Sequence, residues 1–161
     1  MNHDAYSNDY IRDILAQVKT IAMAGASPNW NRPSYFVMKY LQSKGYRVLP
    51  VNPGVAGQEI LGETVYGRLQ DLPEPVDMVD IFRNSEAAGA VTDDAIVIGA
   101  KVVWMQLTVR NDAAAARAEA AGLKVVMNRC PKIEYASLCG EIGWSGVNSG
   151  IISAKRRKLG A

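Results

Sequence analysis

Five short runs of nearly unbroken apolar residues, with helical patterns between them, constrain this chain more than any other feature of its sequence. The runs are Ile21 to Ala24, Arg47 to Val51, Val76 to Phe82, Lys101 to Leu107 and Leu123 to Met127. A strand that is apolar on both sides has no solvent-facing side, and such strands occur where helices cover both faces of a parallel sheet. The intervening segments read as those helices. Asp9 to Lys19 carries Ile11, Ile14, Leu15 and Val18 at helical spacing, and Val37, Tyr40 and Leu41 follow Pro33, a residue suited to a first helical position, before Gly45 closes that helix. Ser85 to Ile98 is expected to turn Val91, Ala95 and Ile98 inward, and Asn111 to cap the alanine-rich helix that ends at Gly122. The pattern predicts an α/β domain with a doubly wound, five-stranded parallel sheet in three layers, α/β/α. Pro50 suggests that pairing of the second strand stops there, since proline brings no N–H to a ladder. Residues 52 to 74, rich in Gly and Pro, read as a long connection with one short helix near Leu69.

The 161 residues suit one domain, 1–161, with a basic tail at about 153–161 that contains Lys155-Arg-Arg-Lys158. With 48% hydrophobic and 21% charged residues, the composition is that of an ordinary globular protein, and no uncharged apolar run approaches the roughly 18 residues of a membrane span. The amino terminus lacks the basic and apolar regions of a signal peptide, so a cytoplasmic location is expected. A net charge of +2 is too small to point to nucleic acid, and the tail reads as solvated. Cys130 and Cys139 have no metal-type spacing and His3 is the only histidine, which argues against a metal site and against histidine-dependent catalysis.

In open parallel sheets the ligand sits beyond the carboxyl ends of the strands, near the place where strand order reverses. That rule selects Gly25-Ala-Ser27, Asn52-Pro53, Phe82-Arg83, Gln106 and Asn128-Arg-Cys-Pro131. Small residues at Gly25, Ala26 and Ser27 let backbone approach an anion, the helix that begins at Pro33 points free N–H groups toward it, and Arg32 adds charge at the helix entrance. The dinucleotide fingerprint is incomplete. Ser27 and Trp30 stand where glycines belong, and Asn52 stands at the end of the second strand, where an acidic residue would take a ribose diol. Arg83 reads either as a bidentate phosphate partner or as a surface residue bonded to a carbonyl. Phe82 and Trp104 read as slot-lining or core aromatics, and Gln106 as a ligand contact or a loop brace. Cys130 reads as an inert buried thiol or as one made reactive beside Arg129. Asp77 and Asp80 read as sheet-edge or helix-facing polar residues.

Taken in order, Ala24-Gly-Ala-Ser27 with Arg32-Pro-Ser34, Gly45-Tyr-Arg-Val-Leu-Pro-Val-Asn-Pro53, Gly57-Gln-Glu-Ile-Leu-Gly62, Pro75-Val-Asp-Met-Val-Asp-Ile-Phe-Arg83, Val103-Trp-Met-Gln106 and Asn128-Arg-Cys-Pro131 resemble the CoA-binding domain family. The likeness is to its small stand-alone bacterial members of the YccU-like type and, more distantly, to the CoA-binding domain of the succinyl-CoA synthetase alpha subunit. It covers about residues 12 to 138. The resemblance implies a Rossmann-like domain with coenzyme A or an acyl-CoA as its ligand. The pyrophosphate would lie at Gly25, Ala26 and Ser27 beside Arg32, Pro33 and Ser34. The adenosine would lie near Val51, Asn52, Pro53, Phe82 and Arg83, and the pantetheine arm would run toward Gln106, Asn128 and Cys130. Gly54-Val-Ala56 departs from relatives that often carry a lysine after the Asn-Pro, which implies either a weaker hold on the 3′-phosphate or compensation by Arg83. The synthetase's phosphorylated histidine has no counterpart here.

The expectation is a CoA-binding module without catalysis of its own, acting as sensor, carrier or subunit. It would take a small-molecule nucleotide ligand, with room for a protein partner or self-association and none for nucleic acid or membrane. Three other classes stay open: an NAD(P)-binding oxidoreductase, a thiol protein in which Cys130 forms a mixed disulfide with CoA, and a purely structural or interaction role.

Overall fold

The five strands of the main sheet are all parallel in a computed structural model that describes residues 1–140. The basic tail lies outside the described residues. β1 (Thr20–Ala24) is hydrogen-bonded to β2 (Arg47–Val51) on one side and to β5 (Met78–Ile81) on the other, followed outward by β6 (Val102–Met105) and β7 (Lys124–Val126). Between β2 and β5 run two 3-10 turns, Pro53–Val55 and Leu69–Asp71, and a small antiparallel pair, β3 (Glu59–Ile60) with β4 (Glu63–Thr64). The connection thus carries more structure than the single short helix expected from sequence.

Alternation along the strands divides the core in two. Ile21, Met23, Val48, Met78, Val102, Trp104 and Val126 pack under α1 (Asn8–Gln17), α2 (Pro33–Ser43) and α5 (Pro131–Leu138). Ala22, Ala24, Leu49, Val79, Ile81, Val103 and Met105 pack under α3 (Ser85–Val97) and α4 (Asp112–Ala120). Every residue of β5 and β6 is buried, which is why these segments read as apolar runs interrupted only by Asp80. Alanines at 88, 95, 114, 115 and 118 let α3 and α4 lie close to the sheet. On α3 the fully buried positions are Ala88, Thr92 and Ala95, while Val91 and Ile98 are only partly covered. The inward face of α3 is therefore less apolar than the spacing of its large residues suggested.

Pairing does not stop at Pro50. The register continues through Pro50 opposite Met23 to Val51 opposite Ala24. β2 is an edge strand, and the Pro50 carbonyl, which accepts from Tyr66 N at 3.0 Å, points outward. In a parallel strand a residue's N–H and C=O face the same side, so the missing N–H is on the edge and costs β1 no bond.

The opposite edge, β7, is covered by side chains. Tyr10 Oη donates to the Val125 carbonyl at 2.9 Å and accepts from Val125 N at 3.1 Å, while Tyr6 Oη accepts from Met127 N at 2.8 Å. The two rings stack, with centroids 5.7 Å apart. Residues 1–7 are held in place by His3, which bonds Tyr6 and Glu119, and by Asp4 on Arg110 at 2.6 Å. Those hydroxyls take the place of the peptide groups of a sixth strand and close an edge that would otherwise invite pairing.

Candidate functional site

The strand order reverses between β1 and β5, so the crevice that parallel sheets use for ligands opens where Gly25 follows β1 and Phe82 follows β5. The two loops nearly touch. Gly25 has φ +89°, and a Cβ there would stand 2.3 Å from the Phe82 carbonyl oxygen and 3.0 Å from Arg83 Cδ. Only glycine satisfies both the backbone angle and the approach. Gly25 N donates to the Val51 carbonyl and Phe82 N to the Ala24 carbonyl, each at 2.8 Å, which ties three strand ends together.

The rest of the first loop is braced from beneath. Ser27 N donates to Ser34 Oγ at 3.1 Å, and Asn29 N to Ser27 Oγ at 3.1 Å. Ser34 is buried, so it shapes the loop from within. Asn52 donates through Nδ2 to the Ala26 carbonyl at 2.8 Å and accepts from Gly54 N through Oδ1 at 2.9 Å. A carboxylate at position 52 could make the second bond and not the first, which gives a physical reason for asparagine where dinucleotide sites carry an acid. Val51 is buried at the end of β2, and Pro53 begins the 3-10 turn. Arg32 occupies the N-cap position of α2 without a side-chain cap, with Pro33 as the first helical residue, and both are exposed. The turn projects Trp30, 72% exposed, into solvent.

Charge pairing sets two residues apart. Arg12, Arg47, Arg68, Arg110, Arg117 and Arg129 each have a carboxylate partner within 4 Å. Among the described residues Arg32 and Arg83 have none, and they flank the same loop.

Toward β7 the rim is built by Gln106, Asn128 and Cys130. Gln106 N donates to the Ile81 carbonyl and its own carbonyl accepts from Val109 N, while its side chain is buried with Oε1 lacking a partner. Asn128, at φ 57°, accepts from Thr108 N at 2.7 Å and so braces the loop after β6. Trp104 is fully buried and its indole N–H donates to the Arg129 carbonyl at 2.9 Å, which makes it a core residue and not a slot wall. Phe82 is half-buried against the same core. Cys130, 5% exposed, stands at the N-cap position of α5.

Beside Cys130 lies a cavity of about 430 Å³, lined by Leu107, Arg110, Met127, Asn128, Arg129, Ile133 and Glu134 together with His3 and Asp4. The amino-terminal strap that runs along β7 brings His3 to this cavity. Both of its nitrogens are engaged, Nδ1 with Tyr6 Oη at 2.7 Å and Nε2 with Glu119 at 2.8 Å, so it is not a free base.

The other residue that sequence undervalued is Asp80. It lies in β5 between Met23 and Trp104, is fully buried, and neither carboxyl oxygen has a partner. Burial pushes its pKa well above the usual carboxylate range, which favours the neutral form of the group. It faces the helices and is not at an edge, as β5 is the central strand. Asp77, three residues earlier, accepts from Lys19 N and Thr20 N and pairs with Lys101 at the amino end of the sheet, far from the crevice.

The family of the chain follows from comparison. Residues 19–136 match the CoA binding domain family. The chain belongs to the CoA-binding domain family. It is 34% identical over 126 residues to the uncharacterized protein YneT of Bacillus subtilis (strain 168), a match spanning 78% of this chain and 92% of that one. A hypothetical protein from Pyrococcus horikoshii OT3 superposes with a TM-score of 0.80 at 40% identity, covering 86% of this chain and 96% of that chain. The dinucleotide-forming acetyl-coenzyme A synthetase 1 of Ca. Korarchaeum cryptofilum, solved with phosphate and ADP, gives a TM-score of 0.61 at 25% identity over 76% of this chain and 28% of that chain. Membership supports CoA binding and a small-molecule ligand. Among the described residues no helix is long and apolar enough to cross a membrane, and no His/Cys/Asp/Glu cluster could hold a metal ion.

Proposed function

We propose that this CoA-binding domain holds CoA or an acyl-CoA with its phosphates at Gly25, Ala26 and Ser27 between Arg32 and Arg83. The adenosine then lies toward Val51, Asn52, Pro53 and Phe82, and the pantetheine arm crosses Gln106 toward Asn128 and Cys130. Pro33 and Ser34 shape the loop. The observation that carries this reading is that Arg83 lies against Gly25 at the switch point and Arg32 heads the helix that follows the same loop, neither with a carboxylate partner among the described residues, so that a polyanion in the loop would meet unpaired positive charge from both. The protein acts as a single-domain sensor, carrier or subunit without chemistry of its own. Engagement of both His3 nitrogens and enclosure of Cys130 support that part.

Calorimetry with ligand-free protein tests it. CoA and acetyl-CoA are expected to bind, more weakly as salt rises, and Arg32→Ala with Arg83→Ala together to weaken binding by roughly ten-fold or more, at about 1.5–3 kcal/mol per charged hydrogen bond. No binding up to millimolar concentration refutes the reading. NADH binding more tightly than CoA would favour an oxidoreductase instead.

A second reading rests on Cys130 lining the cavity beyond the proposed arm. Its thiolate would attack a CoA disulfide, form a protein–CoA disulfide and release one CoA thiol. Intact mass after treatment with oxidised CoA, with Cys130→Ser and Cys139→Ser compared, decides whether capture is specific to Cys130.

A further inference from the structure

The cavity beside Cys130 has walls of two kinds. Its apolar wall is uncovered. Leu107 and Ile133 are 46% and 43% exposed, two of the six large apolar side chains that stand exposed among the described residues, and both line this one space together with buried Met127. Its charged wall is already paired. Arg110 holds Asp4 at 2.6 Å and Asp112 at 3.1 Å, Arg129 faces Glu134 at 3.8 Å and the Tyr6 ring at 5.5 Å, and His3 is bonded to Glu119. The two arginines and two carboxylates of the lining cancel, so the cavity offers no net charge to an ionic group. A carboxylate that entered would have to part an arginine from its acid, whereas an apolar group would cover Leu107 and Ile133 and disturb no pair.

Position relative to the proposed ligand decides what that apolar group is. The phosphate loop follows β1, and β5, β6 and β7 stand in turn beyond it, so the cavity at the end of β7 is three strands away, roughly 14 Å at about 4.8 Å per strand. An extended arm of two amide units with a pantoyl and a cysteamine end spans that distance, and whatever its sulfur carries arrives at the cavity. We infer that this cavity selects the acyl group of an acyl-CoA, and that it takes short, uncharged, apolar acyl chains in preference to free CoA and to chains that end in a carboxylate. The inference rests on the CoA reading above and adds to it the class of thioester.

Calorimetry with CoA, acetyl-CoA, butanoyl-CoA and succinyl-CoA on wild-type protein, Leu107→Ser and Ile133→Ser tests it. Butanoyl-CoA is expected to bind wild-type protein roughly ten-fold more tightly than acetyl-CoA, the gain from burying two further methylene groups, and succinyl-CoA no more tightly than acetyl-CoA. Succinyl and butanoyl chains have the same number of carbons, so that pair isolates the charge. In each variant the preference for butanoyl-CoA should fall to about three-fold or less, while free CoA binds as it does to wild-type protein. Butanoyl-CoA binding no more tightly than acetyl-CoA, succinyl-CoA binding as tightly as butanoyl-CoA, or an undiminished preference in either variant overturns the inference and leaves the CoA site standing. The wild-type comparison decides even where a variant fails to fold. If wild-type protein binds none of the four, the CoA reading falls and this inference with it.

Discussion

Asp80→Asn isolates what it takes to keep a carboxyl group in the centre of this sheet. The carboxyl is fully buried on β5 and neither oxygen has a partner, so burial favours its neutral form, with a folded-state pKa well above its value in the unfolded chain. Between those two values the folded protein binds one proton that the unfolded chain has released. Stability then falls as pH rises, by about 1.4 kcal/mol per pH unit, beginning near the unfolded value of about 3.9 and levelling off once the folded group ionises. Each pH unit of that window is to be set against a typical domain stability of about 5–15 kcal/mol. Asparagine has no such titration, and whatever its own buried amide costs does not vary with pH. Urea unfolding at half-unit steps from pH 5 upward should give two curves whose difference has that slope, with m unchanged. Parallel curves would refute the assignment of a neutral buried acid.

Four substitutions test the scaffold. Gly25→Ala should cost at least about 2 kcal/mol, since it adds a methyl carbon 2.3 Å from a backbone oxygen to the strain of a positive φ, whereas Gly99→Ala, at φ +78° in open space, should lose only about 1 kcal/mol. Urea unfolding of the two side by side separates contact from strain. Tyr10→Phe removes both bonds to Val125 and is expected to cost about 1–3 kcal/mol and to promote association through β7, read by sedimentation. Asn52→Asp should lose about 1–3 kcal/mol with the bond to Ala26 and gain no NADH affinity in calorimetry.

Strand and helix identities were legible because each strand is local and buried on both faces, so composition alone marks it. The candidate crevice was legible for the same reason, since strand ends locate it once the sheet is known to be parallel and doubly wound. What escaped depends on partners distant in sequence. Nothing around Asp80 says that β1 and β6 will enclose it, and nothing around Tyr6 or Tyr10 points to Val125 and Met127, more than a hundred residues away. Ser34 and Asn52 look like exposed ligand contacts in sequence, yet their polar atoms brace the loop. Pro50 misled because edge position, which makes it harmless, is a property of the sheet order and not of the strand.

The family match begins at Lys19, beyond both the strap and α1. A minimal domain cut to that boundary would keep every strand and every proposed ligand contact, yet would lose Ile11, Ile14 and Leu15 from the core and both tyrosine caps from β7. It would be expected to precipitate or self-pair for reasons unrelated to ligand. Where relatives share only the 19–136 region, each must close its last strand by some other means, so the flanking residues that look least informative in such sequences deserve to be retained when the domain is produced.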